Sequence, residues 1–314
     1  MKLEILTVKE FTDWAINNEE ITFHQTKEWA DLKKRNGWNS YYVGLKDKGI
    51  IKAASLILSK EIPVIKKKMF YAPRGFLIDY HNLELLTTFT KEIKKFAKER
   101  NAIFIKIDPY VMYKEHDLNG DLVPDGIDNS DTVDNLKSLG YHHFGFNLMQ
   151  DTLQPRWMHT ITVKNRSLDD VMKDMESKTR QILRKNERLG VKSREITRDE
   201  IKTFKDIMQH TGERRDFIDR PLSYYENMWD TLHDSGILKI LVAEVDFDEE
   251  IKNTKEKIKK LEEAIKEREE KFNNKTVPMN EKKYNANQKK DKDEIERLKK
   301  NIEKSKSMKK EYGA

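Results

Sequence analysis

The 314 residues include no cysteine, which removes disulfide scaffolds, thiolate nucleophiles and cysteine-ligated zinc or iron–sulfur centres. No apolar run reaches the length needed to cross a bilayer. The opening MKLEILTVKEFTDW carries acidic residues and has no uninterrupted apolar core, so it does not read as a signal peptide. Glycine is sparse, and Gly-x-Gly occurs nowhere, which leaves unsupported the backbone-amide cradle that acyl-CoA-dependent N-acyltransferases use for a pyrophosphate. Gly44 and Gly49 have a P-loop interval, but Ile50 and Ile51 follow where Lys and Ser/Thr belong. HExxH and GxSxG are also missing. Cytoplasmic residence is the default expectation, with no cofactor and no metal.

Charge is abundant and unevenly placed. Charged residues make up 37% of the chain and hydrophobic residues another 37%, too polar on average for one compact globule. Residues 249–310 hold 21 Lys+Arg against 14 Asp+Glu, so of the whole-chain 61 against 55 the remainder is 40 against 41. The net positive charge therefore belongs to one element, where a polyanion would be attracted.

Read in order, the chain opens with a short strand and a helix near Thr7–Asn17, with Thr7 and Glu10 at capping-box spacing. HQTKEWADLKKRNGW predicts a helix ending at Gly37, with Trp29, Leu32 and Trp38 along one side and Lys33 and Lys34 leaving on the other. YYVGLKDKGIIKAASLILSKE and VIKKKMFYAP predict three antiparallel strands. NLELLTTFTKEIKKFAKER spaces Leu83, Leu86, Phe89, Ile93 and Phe96 for one helix face, and AIFIKID reads as a buried strand. The acidic stretch from Glu115 to Asp131 invites a calcium reading, but its glycines do not fall where an EF-hand turn needs them, so it reads as a solvated loop. NLKSLGYHHFGF predicts helix, glycine stop and strand, with His142 and His143 flanking that strand. Ser167–Asp170 offers a helix cap, Arg198–Gln209 a helix, and ILKILVAEVD another buried strand. The fold class is therefore α/β or α+β.

From Glu249 the period changes to heptads. Ile251, Thr254, Ile258, Leu261, Ile265, Arg268 and Phe272 alternate by three and four, and Ile295, Leu298, Ile302 and Ser305 do so again. Asn273, Asn274 and Pro278 interrupt them, which predicts an antiparallel coiled-coil hairpin.

The densest cluster of anion-binding side chains runs from Met175 to Tyr225. Lys178, Arg180, Arg184, Lys185, Arg188 and Lys192 come first, then Arg214, Arg215, Arg220, Tyr224 and Tyr225. Guanidinium forks and tyrosines together suit an anionic, partly aromatic ligand; a solvated basic helix explains the first group equally well. Phe217 and the tyrosine pair are expected to anchor the second group against a packed surface. The run TGERRDFIDRPLSYYEN, with IKIDPYV at 105–111, YAPRGFLIDY at 71–80 and LQPRW at 153–157, resembles the FemABX family of aminoacyl-tRNA-dependent peptidyltransferases. The resemblance extends in order along the whole chain.

That resemblance implies tandem GCN5-related N-acetyltransferase-like domains with the helical hairpin inserted in the second. The expected boundaries are 1–152 for the first domain, 153–248 for the first part of the second, 249–310 for the arm and 311–314 for the start of a missing remainder, so the chain is expected to be truncated at its C-terminus, inactive alone and poorly folded. It implies transfer of glycine, alanine or serine from aminoacyl-tRNA to the stem-peptide amine of a peptidoglycan precursor, either lipid II or UDP-linked muramyl pentapeptide. Peripheral contact with the inner face of the membrane would follow. Asp108 matches the family's aspartate and is the candidate proton acceptor; a turn cap before Pro109 is the bland alternative. Lys33 matches a lysine that contacts the precursor diphosphate, and Arg220 with Tyr224 matches the other side of that site. Arg214 and Phe217 match as well, whereas Arg215 and Asp216 depart from the more usual Asp-Gly. Arg74 lies in a matched motif and reads equally as a structural ion-pair partner. Lys257, Lys260, Lys299 and Lys300 are candidates for tRNA phosphates, or simply solubilising charge. A non-catalytic coiled-coil RNA-binding adaptor and an acyl-CoA-dependent N-acyltransferase are the competing readings.

Overall fold

The computed structural model describes residues 1–18, 21–117, 119–146, Gln154, Trp157, 161–274 and 280–312. Most of LQPRW, the expected boundary at 152/153 and Pro278 lie outside the described residues. In chain order the elements are β1 (Lys2–Ile5), α1 (Val8–Ala15), α2 (Lys27–Arg35), β2 (Asn39–Asp47), β3 (Ile50–Ile62), β4 (Lys67–Ala72), α3 (Leu83–Glu99), β5 (Ala102–Ile107) and α4 (Asp131–Ser138). There follow α5 (Leu168–Asp174), α6 (Ser177–Arg188), β6 (Val191–Glu195), α7 (Ile201–Arg215), α8 (Leu222–Leu232), β7 (Leu241–Val245), α9 (Phe247–Asn273) and α10 (Glu281–Tyr312). The chain gathers into two units, 1–158 with 197–239, and 159–196 with 240–314.

The first unit is built on a five-stranded sheet in the order β1-β2-β3-β4-β5. β1 to β4 form the antiparallel meander, and α3 carries the chain over to β5, which pairs parallel with β4. One face packs on α3 through Val43, Ile57, Phe70, Leu86, Phe89, Ile93 and Phe96. The other face holds Tyr42, Leu56, Leu58 and Tyr71 against Phe11 and Ala15 of α1 and Ala30 of α2. The Thr7–Glu10 capping box starts α1, satisfying end donors that the helix itself leaves unpaired. Gln25, fully buried between α1 and α2, donates to the carbonyls of Pro73 (2.6 Å) and Gly75 (3.2 Å) and accepts from the Leu56 amide (2.7 Å). It thereby fixes the loop after β4 to the sheet. α7 and α8 complete the unit, α8 packing along α2.

Several expectations are corrected here. β5 is not buried: Ile103 and Phe104 are 52% and 46% exposed, because the strand ends the sheet and β4 is its one partner among the described residues. Leu83 starts α3 outside the core and is exposed. Residues 141–146 form no strand, so His142 and His143 flank none there. Phe217 is exposed rather than an anchor, and Tyr225 alone of the tyrosine pair is buried.

The second unit holds α5, α6, the antiparallel pair β6–β7 and the hairpin. Ser167 caps α5 as its spacing predicts. β7 is not the buried strand expected: Leu241 and Val245 are exposed, since a two-stranded ribbon has little to cover it. Arg180 turns back onto the carbonyls of Lys173 and Met175, and Lys192 ion-pairs with Glu249, so these two members of the first basic group are used within the fold. α9 and α10 run antiparallel. Ile258, Ile265, Ile295, Leu298 and Ile302 form the buried seam, continued by Thr254 and Ser305. Lys257–Glu294 (2.8 Å), Arg268–Asp291 (2.7 Å) and a stacked Phe272–Tyr284 pair (4.1 Å) fix the register along it.

Candidate functional site

The cation-rich site lies within the first unit, where α2 covers the face of the sheet and α8 packs along α2. Lys33 does not leave α2 away from the tryptophans: its Nζ sits 4.3 Å from the centroid of the Trp29 ring. A side chain four residues on returns to the same helix face, so Lys33 follows Trp29 while Lys34 points to solvent. Burial, then the charges of Arg220 and Lys60, hold the Lys33 ammonium below its usual range. Among the described residues no carboxylate pairs with Lys33, Lys60 or Arg220. The Arg220 guanidinium lies 5.5 Å from the Tyr224 ring centroid, and Lys60 lies at the same distance from Trp38. Cations gathered on aromatic faces without counter-charges are the electrostatic form of an anion site.

Arg220 is held from behind. Asp219, half-buried, receives Lys205 Nζ (2.5 Å), the Tyr225 hydroxyl (2.5 Å) and the Arg220 amide (2.7 Å). Burial alone would push its carboxyl up, but these partners outweigh it and hold it below the usual carboxylate range. Asp216 takes the left-handed conformation at the end of α7 (φ 56°), a region asparagine and aspartate tolerate better than most residues.

The second half of the site is the end of β5. Asp108 accepts from the Tyr71 hydroxyl (3.0 Å) and from the Arg74 amide (2.8 Å). Burial pushes its carboxyl up despite these bonds and the nearby charges of Arg74 and Lys106. The amide it holds belongs to the distant Arg74 loop and not to a turn at Pro109, and it stays half-buried with a raised proton affinity, which suits a group that takes a proton from an ammonium. Arg74 makes no ion pair among the described residues. Its backbone is left-handed (φ 61°) and its guanidinium lies over Tyr110 at 5.2 Å. The next residue, Gly75, is also left-handed (φ 79°), and a Cβ there would lie 2.7 Å from Pro109 Cα, so the loop bearing Arg74 is pressed against the end of β5.

Between the two halves sits a residue the sequence did not single out. His24 is buried beside Trp29 (ring centroids 4.7 Å apart) and feels both Arg74 and Lys33. Burial and those two cations lower its pKa to about 4, so the imidazole is neutral. Gln154 Nε2 lies 3.4 Å from His24 Nε2, and the same amide side chain bonds the Tyr71 hydroxyl. A hydrogen-bonded run thus joins His24, Gln154, Tyr71 and Asp108. His24 Nδ1 and Trp29 Nε1 are buried without partners among the described residues.

Arg214 stands exposed in the last turn of α7, without a hydrogen bond, ion pair or ring contact among the described residues. On the hairpin, Lys260, Lys299 and Lys300 are exposed and unpaired among the described residues, whereas Lys257 is engaged by Glu294. A groove of about 430 Å³ lined by Lys27, Asp31, Lys34, Arg35 and Asp230 lies elsewhere on α2 and α8. Lys27 pairs there with Asp31 (2.5 Å) and Arg35 with Asp230 (3.6 Å), and Glu28 adds a third carboxylate to the lining, so it offers an anion little.

Residues 6–314 match the FemAB family. The aminoacyltransferase FemA of Staphylococcus epidermidis is 34% identical over 255 residues, covering 80% of this chain and 60% of that protein. The lipid II:glycine glycyltransferase of Staphylococcus aureus strain MRSA252 is 31% identical over 253 residues, 80% of this chain and 57% of its own length. The crystal structure of FemX has the same mixed α/β fold, with a TM-score of 0.73 at 27% identity, covering 99% of this chain and 74% of that one. The chain thus spans about 60% of the length of these enzymes from staphylococci.

Proposed function

The chain belongs to the FemAB family, and from that premise we propose that it is the acceptor-binding portion of an aminoacyltransferase that builds the interpeptide bridge of peptidoglycan. The acceptor is a muramyl-peptide diphosphate, and the donor is an aminoacyl-tRNA. The observation that carries this reading is the pairing of Lys33 with Arg220 beside Lys60, cations stacked on aromatic rings with no carboxylate among the described residues to neutralise them. A diphosphate supplies what they lack.

The chemistry asks little more of the protein than placement. The ester of an aminoacyl-tRNA is already activated, so the acceptor amine attacks its carbonyl carbon directly, the carbon–oxygen bond to the ribose breaks, and that oxygen leaves with a proton. Asp108 receives the proton that the acceptor ammonium must lose first, and Tyr71 and the Arg74 amide hold its carboxylate in place. The lysines of α9 and α10 meet tRNA phosphates. In this reading residues 1–152 and 153–248 belong to tandem acetyltransferase-like folds with the hairpin as an insertion, and the protein works in the cytoplasm. Among the described residues no helix is long and apolar enough to cross a membrane.

The test is calorimetric titration of UDP-linked muramyl pentapeptide into the protein and into Lys33→Ala and Arg220→Ala. Each variant should bind about 10-fold or more weakly, as loss of one charge-assisted contact implies. Equal affinity in parent and variants would remove the diphosphate site. Transfer from tRNAs charged with glycine, alanine and serine then identifies the amino acid.

A further inference from the structure

Val64 and Ile65 occupy the tip of the β3–β4 hairpin and are 92% and 49% exposed. Single exposed aliphatic residues are common on proteins. What distinguishes this pair is its setting: Lys60 precedes it, Lys66 and Lys67 follow at once, all three exposed, and among the described residues none of them is ion-paired. Lys67 donates instead to the Asn101 side chain, 2.6 Å away, which ties the tip to the turn before β5. An apolar point flanked by three cations, Lys60, Lys66 and Lys67, against the one acid Glu61 is a surface pattern that suits an anionic bilayer, where aliphatic side chains enter the headgroup layer and ammonium groups meet lipid phosphates.

The tip is also in line with the site. Tyr71 pairs with Leu58, Met69 with Lys60 and Lys67 with Ile62. Opposed residues share a face and alternate residues return to it, at about 6.6 Å per two-residue step. Tyr71, Lys60 and Ile62 therefore form a row on the face that carries α2, and the hairpin tip follows directly. Asp108 is bonded to Tyr71 at one end, and Lys33 faces Lys60 in the middle. A precursor with its amine at Asp108 and its diphosphate at Lys33 sends whatever is esterified beyond the diphosphate towards Val64 and Ile65.

We propose that the β3–β4 tip docks on an anionic membrane surface, Val64 and Ile65 entering the headgroup layer and Lys66 and Lys67 contacting lipid phosphates, so that the acceptor is taken from the bilayer with its diphosphate at the water interface. The direction of the row rests on the reading of Lys33 and Arg220 given above; the docking surface itself does not. Each lysine contributes about fivefold to affinity for such a surface, so attachment is reversible and salt-dependent.

The experiment is co-sedimentation of the protein with vesicles of phosphatidylcholine alone and with phosphatidylglycerol added. The parent should bind the phosphatidylglycerol vesicles selectively. Val64→Glu/Ile65→Glu should bind them at least about 10-fold more weakly, and Lys66→Gln/Lys67→Gln about 25-fold more weakly from two such contacts. Both should still bind soluble UDP-linked precursor as the parent does. Absence of vesicle binding by the parent, equal binding to both lipids, or full binding by either variant overturns the proposal, as does tip-dependent capture of tRNA in place of vesicles. Should the glutamate variant lose precursor binding as well, the lysine variant decides, because its two side chains are exposed. Tip-dependent vesicle binding by a parent that binds no precursor would sink the diphosphate reading and leave the docking surface standing.

Discussion

Arg220 lies close enough to Lys33 for its charge to help push the Lys33 ammonium down, burial being the larger cause. Lys33 lies on α2 and Arg220 in the loop that leads into α8, far apart in the chain, and the packing of α8 along α2 brings them together, helped by Arg35, which reaches Asp230 (3.6 Å) and Asn227 (3.2 Å). In the absence of an anion this arrangement is repulsive, and a protein keeps such a contact where a ligand relieves it.

Removing one cation should therefore separate stability from binding. Lys33→Met keeps the contact with Trp29 and drops the charge, so its melting temperature should equal or exceed that of the parent while diphosphate affinity falls about 10-fold or more. Differential scanning calorimetry and titration with inorganic pyrophosphate measure the two. A variant less stable than the parent would mean that Lys33 serves the fold.

Asp219 should behave in the opposite way. Its half-buried carboxylate gathers Lys205, Tyr225 and the Arg220 amide, and losing a hydrogen bond to a charged group costs about 1.5–3 kcal/mol. Asp219→Asn should lower the urea midpoint accordingly. Because the same carboxylate sets the backbone of Arg220, the affinity of the folded fraction for pyrophosphate should also drop. Affinity unchanged alongside lost stability would confine Asp219 to the fold.

The local signals in the sequence translated directly into structure. Heptads gave the seam from Thr254 to Ser305, and alternation gave the meander, because both periods are written in neighbouring residues. Burial was less legible. AIFIKID and ILKILVAEVD are as apolar as central strands, yet nothing in either run says that β5 would end its sheet or that β7 would have one partner. At the candidate site, Lys33, Arg74, Asp108, Arg220 and Tyr224 stand in motifs that the sequence displays. His24, Lys60 and Asp219 do not stand out there, since each acquires its meaning from contacts between distant segments: His24 from Arg74 and Lys33, Lys60 from Lys33, Asp219 from Lys205. The four-residue spacing of Trp29 and Lys33 is the signal for their one shared face.

Asp108→Asn should leave acceptor binding near the parental value and lower the transfer rate by about 10²–10⁴, the usual worth of a positioned base. The loss should shrink as pH rises and the free amine becomes populated without help. A pH–rate profile of transfer from aminoacyl-tRNA reads this out. A variant that transfers at the parental rate throughout would reduce Asp108 to a cap on the Arg74 loop.

His24 gives the fold an acid-sensitive point. Its pKa is about 4 in the folded protein against 6.5 for a free imidazole, so between those values the unfolded chain binds a proton that the native protein refuses. Stability then falls as pH drops from about 6.5 towards 4, by roughly 3 kcal/mol at most. His24→Gln has no proton to take up, so the difference between its urea midpoints at pH 7.5 and pH 5 should be smaller than the parent's. Equal differences would show that other groups govern the acid limb.

On the hairpin, the structure separates lysines that the sequence treats alike. Lys257 already meets Glu294 at 2.8 Å, whereas Lys299 and Lys300 are exposed and unpaired among the described residues. A lysine that contacts a nucleic-acid phosphate releases a counterion, and each such contact adds about 0.7–0.9 to the slope of log affinity against log salt. Lys299→Gln/Lys300→Gln should therefore weaken tRNA binding and flatten that slope by about 1.4–1.8. Lys257→Gln should change it less, because that lysine must give up Glu294 to reach a phosphate. Fluorescence anisotropy with tRNA across a salt series makes the comparison. If Lys257→Gln flattened the slope as much as either exposed lysine changed singly, the Glu294 pair would not persist in solution, and pairing on the hairpin would be no guide to where RNA sits.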